Sequence, residues 1–143
     1  MITVIGAWEE NWMDAERTER RLWKQTLQSY QVDNWFMTPP QYGEFTSPLQ
    51  YKTVQEALDA STGKRIFLTP EATVNEYGLT TTSLADYVHP EDAVYIFCNA
   101  ISNNHSVIRD EDDVVTIFTP QKTDWFAPVA VGAVLYDRFT KSS

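Results

Sequence analysis

Residues 93–98, AVYIFC, form an unbroken apolar run flanked by Glu91-Asp92 and Asn99. The run is far shorter than the roughly 20 residues of a bilayer span, and it lacks the polar alternation of a strand with one wet face. It therefore predicts a strand covered on both faces, as in a parallel sheet. Four further short runs read as strands: 2–5 (ITVI), 32–38 (VDNWFMT), 65–69 (RIFLT) and 114–118 (VVTIF). Thr38-Pro39, Thr69-Pro70 and Thr119-Pro120 close three of them, because proline has no amide proton to give a ladder. Between the strands, apolar steps of three, four and seven predict a helix over 9–30, built on Trp12, Ala15, Leu22, Trp23, Leu27 and Tyr30. Thr53 and Glu56 stand at capping-box spacing before a short helix over 54–60, ending near Gly63. A last helix is expected over 124–140. Residues 41–52 and 99–113 read as loop, and 71–87 is weakly patterned, with a helical turn around 83–87. Strands alternating with helices give an α/β fold with a mainly parallel sheet flanked by helices.

The chain of 143 residues is expected to be one domain, 1–143, with five Trp, seven Tyr and seven Phe to fill its core. Its N-terminal residues, MITVIG, have neither a basic stretch nor a long apolar core, so no signal peptide and no membrane span are expected. A single cysteine forms no internal disulfide and makes a thiolate-based zinc site untenable; a cytoplasmic protein is the expectation. The formal charge of −9 repels a phosphate backbone at long range. Nonspecific DNA coating is excluded, and any RNA contact needs a local basic patch.

Ligands of open α/β sheets gather beyond the C-terminal strand ends, here after Thr38, Thr69, Cys98 and Phe118. Neither G-x-G-x-x-G nor G-x-x-x-x-G-K-[ST] occurs, which argues against dinucleotide and P-loop enzymes. His89 and His105 lie in no metal-ligand spacing; His89 reads as a helix or turn entry before a strand, and Cys98 in its apolar strand as an inert core residue rather than a nucleophile paired with His105. The tract 110–113 (DEDD) reads as a hydrated turn, so no metal is expected. Arg17, Arg20, Arg21 and Lys24 share one helix face, which fits either a phosphate grip or a solvated face paired with Glu16 and Glu19.

The order of these pieces resembles the SpoU branch of the SPOUT superfamily, methyltransferases acting on ribose 2′-hydroxyls of tRNA or rRNA. Asn11 and Arg17-Thr18 match the family's N-x-G-x-x-x-R-[TS] segment, with Met13 in place of its Gly. Phe97-Cys98-Asn99-Ala100 is similar to the strand end F-G-N-E, with Ala100 in place of the Glu. Ile117-Phe118-Thr119-Pro120 and the helix containing Leu135-Tyr136-Asp137 resemble the third motif, although Asp124 and Phe126 stand where the family has Ser and Asn. The resemblance implies a C-terminal trefoil knot and a homodimer built on the first and last helices. It implies S-adenosylmethionine held by Thr69, Cys98, Asn99, Ile117, Phe118 and Thr119, largely through main-chain atoms. It further implies Arg17 and Asn11 as catalytic residues, and Arg17, Arg20, Arg21 and Lys24 as the RNA contact. The alternative is a noncatalytic relative that keeps the knotted dimer as a cofactor-, RNA- or protein-binding module. Gly132, inside the last helix, fits close helix packing in such a dimer.

Overall fold

The structure, a computed structural model, describes residues 1–8, 16–40, 49–97, 105–121 and 127–142, with the side chains of Glu16 and Arg17 outside the description. Among the described residues seven strands form one sheet: β1 (Ile2–Ala7), β2 (Asn34–Thr38), β3 (Leu49–Gln50), β4 (Lys64–Leu68), β5 (Thr82–Ser83), β6 (Ala93–Phe97) and β7 (Asp113–Thr116). Their order is β3-β2-β1-β6-β4-β7-β5, and each neighbouring pair is parallel. The helices are α1 (Glu16–Ser29), α2 (Val54–Asp59), α3 (Glu71–Tyr77) and α4 (Ala127–Lys141), with 3-10 turns at Leu84–Asp86 and His105–Val107.

The continuous apolar run lies at the centre. All five residues of β6 are buried between β1 and β4. Alternate side chains serve opposite faces, as the period-two geometry of a strand requires. Val4, Ile66, Leu68, Tyr95, Phe97 and Val115 pack beneath Trp23 and Leu27 of α1 and Val131, Val134 and Leu135 of α4. Ile5, Phe36, Phe67, Val94 and Ile96 pack beneath Ala57 and Leu58 of α2, with Val107 and Ile108 beside them. Each such side chain taken fully out of water contributes roughly 1.5–3 kcal/mol, enough to fix the register.

Local chemistry explains where the elements differ from the sequence expectations. β1 continues through Gly6 to Ala7 because Gly6 pairs with Met37 and Ala7 with Thr38. β2 starts at Asn34, since the amide of Val32 donates to the Leu27 carbonyl in the turn that closes α1. The expected loop 41–52 contains β3, whose Leu49 and Gln50 pair with Phe36 and Met37. The weakly patterned stretch holds α3, closed by Gly78 at φ 62°, and β5; only Val74 of α3 is buried. α1 is described from Glu16 and α4 from Ala127, so the expected helical residues 9–15 and 124–126 lie outside the described residues. No helix is long and apolar enough to cross a membrane among the described residues.

Candidate functional site at the C-terminal rim of the sheet

Because β1, β6, β4 and β7 are adjacent and parallel, their C-terminal ends make one rim. From β1 the chain steps to β2 and β3 on one side, then crosses to β4, β6 and β7 on the other. A strand-order reversal of this kind, here between β1 and β6, is the position where open α/β sheets bind ligands. The first turn of α1 follows β1 at this same end, and α4 starts there after β7.

On β4 the rim ends at Thr69, which is buried. Its amide donates to the Val115 carbonyl (3.0 Å) and its hydroxyl to the Phe67 carbonyl (3.3 Å). Both donors are thus committed within the sheet. Pro70 then opens α3 with an extended backbone, φ −61° and ψ 149°. On β7 the ladder stops at Thr116, whose fully buried hydroxyl meets that of Thr81 at 2.7 Å; Thr81 also bonds the Val114 carbonyl (3.2 Å). This pair fixes the exit of β7 into Ile117, Phe118 and Thr119. Ile117 packs on the α1/α4 face of the core, Phe118 is 49% exposed, and the Thr119 hydroxyl donates to the Gln121 carbonyl. Cys98 and Asn99 lie outside the described residues, as does Asn11. Arg17 belongs to the first turn of α1, at the rim end of that helix.

On α1, Arg21 and Lys24 are exposed and Arg20 is half-buried and already engaged. Glu19 corrects one sequence expectation. It does not lie on a solvated face: it is 2% exposed and accepts from the Trp23 indole (3.4 Å). Trp23 stacks on Trp35 (centroids 6.3 Å apart), which meets Trp8 edge-on, and the Trp8 indole donates to Gln50. The basic face therefore stands on a packed aromatic cluster.

The acidic tract is a turn: the Arg109 amide donates to Asp112, and Asp113 opens β7 while accepting from Tyr87 (2.6 Å). Among the described residues no group of three or more His, Cys, Asp or Glu is disposed to hold a metal ion. Sequence reasoning missed the surroundings of His89. Its side chain is 5% exposed, with Nδ1 2.7 Å from the Tyr95 hydroxyl and Nε2 2.7 Å from Asp137. Partners 48 positions apart leave no spacing signal in a sequence.

No protein-family model and no curated protein matches the chain. Solved structures do match. A structure concerned with 2-OH methylation of C/U34 on tRNA aligns over 99% of this chain and 96% of its own, with TM-score 0.68 and 12% identity. The TrmH/SpoU tRNA modifying enzyme of A. aeolicus aligns over 99% and 76%, with TM-score 0.71 and 10% identity. The SpoU methyltransferase AviRb of Streptomyces viridochromogenes, in complex with AdoMet, aligns over 99% of this chain and 60% of its own, with TM-score 0.68 and 8% identity. The chain shares the α/β fold of these structures.

Proposed function

We propose that this chain is an S-adenosylmethionine-dependent RNA methyltransferase of SpoU type that methylates a ribose 2′-hydroxyl of tRNA or rRNA. The observation that carries the reading is the strand-order reversal at the parallel rim, on a fold shared over 99% of the chain with an AdoMet-bound SpoU enzyme. Past Thr116 the chain leaves the β7 ladder, and apolar Ile117 and Phe118 follow at that exit. Apolar walls with a few main-chain polar groups suit a purine nucleoside.

When bound, S-adenosylmethionine supplies a methyl group activated by its sulfonium. The chain's own contribution is to place the nucleophile and keep water out, which by itself lowers a transfer barrier substantially. In this reading Thr69 contributes its carbonyl, Ile117, Phe118 and Thr119 their main chain, and Cys98 and Asn99 the corresponding end of β6. Arg17 and Asn11 orient the ribose, and Arg17, Arg20, Arg21 and Lys24 hold the phosphates. The proposal extends to one domain, a cytoplasmic location, passage of the C-terminal segment through the loop after β6 as a trefoil knot, and a homodimer. The knot is supported by topology: β7 lies beyond β4 from β6, yet α4 returns across the sheet to pack on α1.

A noncatalytic cofactor- or RNA-binding module is the second reading, favoured by Ala100, Asp124 and Phe126 at motif positions of the family. Calorimetry with S-adenosylmethionine, followed by transfer of labelled methyl groups to tRNA and rRNA pools, separates the two. Binding with transfer that Arg17→Ala abolishes is the expected result. Binding without transfer to any pool selects the module, and absence of binding overturns both cofactor readings.

A further inference from the structure

At the opposite end of α4 from the rim lies a second polar constellation that methyl transfer does not use. The Arg138 guanidinium, which only donates, reaches the Tyr95 hydroxyl (3.0 Å) and the carbonyls of Pro90 and Glu91. The Tyr95 oxygen is thereby an acceptor toward Arg138, and with the ring neutral and Nε2 facing a carboxylate its one proton goes to Nδ1 of His89 (2.7 Å). That leaves the other ring nitrogen, Nε2, to carry the imidazole proton and donate it to Asp137 (2.7 Å). Lys141 closes the set, pairing with Asp137 (2.8 Å) and donating to the carbonyls of Leu84 (2.6 Å) and Tyr87 (2.9 Å). The order Tyr–His–Asp has the form of a nucleophile triad. Tyr95 has no exposed surface, however, so no substrate reaches its oxygen. The arrangement instead joins the last two turns of α4 to β6 and to the 84–92 connection.

We propose that His89 is a proton-operated latch: neutral, it fastens the C-terminal turns of α4 to the sheet, and protonated, it releases them. The donor chain is fully satisfied only with the neutral ring. A proton on Nδ1 would face an oxygen already receiving Arg138, and the tyrosine proton would have to turn into buried surroundings. An unsatisfied buried donor is expensive. The charge census points the same way. From α4 the ring meets one carboxylate, Asp137, against two cations, Arg138 and Lys141. From β6 it meets Tyr95. From the connection it meets the edge of Tyr87 (5.1 Å), whose hydroxyl is committed to Asp113 of β7, while Glu91 engages through its carbonyl and Asp92 is exposed. Burial, aided by Lys141 and Arg138 and opposed by Asp137, holds the ring's pKa below its ordinary 6.5. A depressed folded-state pKa means that the latch is at full strength above pH 6.5 and weakens as pH falls below it.

The test is amide hydrogen exchange of residues 136–141, corrected for intrinsic rates, at pH 7.5 and 5.5. A latch that refuses the proton when closed and takes it normally when open loses about ten-fold in protection across that interval. His89→Gln, which cannot titrate, is expected to lose none of its protection, and His105→Gln to behave as wild type. Equal losses in wild type and His89→Gln, or no loss in wild type, overturn the latch. Should His89→Gln fail to fold, ring ¹⁵N shifts of the wild-type protein decide the matter. A neutral, Nε2-protonated ring in the closed state down to pH 5.5 supports the latch, and a ring protonated at pH 6.5 with α4 intact overturns it.

Discussion

Gly6 shows how the lack of a side chain sets the distance between a helix and the sheet. A Cβ at this position would lie 2.4 Å from Cη2 and 2.9 Å from Cζ2 of Trp23, and 3.0 Å from the sulfur of Met37. Trp23 is completely buried and backed by Trp35, so its ring has nowhere to retreat. Gly6→Ala is therefore expected to cost about 1–3 kcal/mol, the usual penalty of overpacking, read as a lower urea midpoint with unchanged slope. An unchanged midpoint would show that α1 slides outward without loss. In the sequence Gly6 reads as the end of a strand, because its reason is a ring that arrives 17 positions later. His89 is opaque for the same cause: a turn entry is written locally, but the partners that bury it come from β6 and α4. Gly132 differs. Among the described residues its added Cβ would meet Thr26, at an ordinary 3.7 Å, so packing against them does not demand glycine there.

Elements whose determinants lie within a few residues were the legible ones. Thr53 accepts from the Glu56 amide (3.2 Å), as the three-residue spacing predicts, while the Glu56 carboxylate takes the amide of Lys52 (3.3 Å) rather than that of Thr53. α2 has six residues, and its Ala57 and Leu58 cover Ile5 and Phe67, so loss of the cap acts on a thin element over an essential part of the core. Thr53→Ala is expected to cost about 1 kcal/mol, with faster exchange of the α2 amides than of the β6 amides. Uniform exchange across both elements would mean that α2 has no separate opening. α3 escaped sequence reading because one buried residue in seven gives no periodicity, and β3 and β5 because two residues cannot show one. The rim could be placed in advance since proline marks strand ends, whereas the hydroxyl pair of Thr81 and Thr116 joins segments 35 positions apart and was hidden.

On the scale of the whole molecule, the parallel class followed from short apolar runs, but how α1 and α4 lie side by side did not. Their outer surface carries an apolar stripe: Val129 is 57% exposed, Tyr136 59% and Phe139 61%, with Leu22 of α1 at 39%. Val129, Tyr136 and Phe139 follow helical steps of seven and three, so they share one face. Exposed apolar residues on one helix face are what the homodimer proposed above would bury. Two copies each bearing −9 repel one another, so apolar contact has to overcome that repulsion. Added salt screens the repulsion while leaving apolar burial intact, whereas RNA binding releases counterions and weakens with salt. Sedimentation of the wild-type protein is therefore expected to show self-association that tightens from low to moderate ionic strength, while RNA affinity falls over the same range. Tyr136→Asp combined with Phe139→Asp should yield a folded monomer with an unchanged circular dichroism spectrum. A wild-type protein that sediments as a monomer throughout, or a dimer that loosens with salt, would assign the stripe to another role and leave the fold as described.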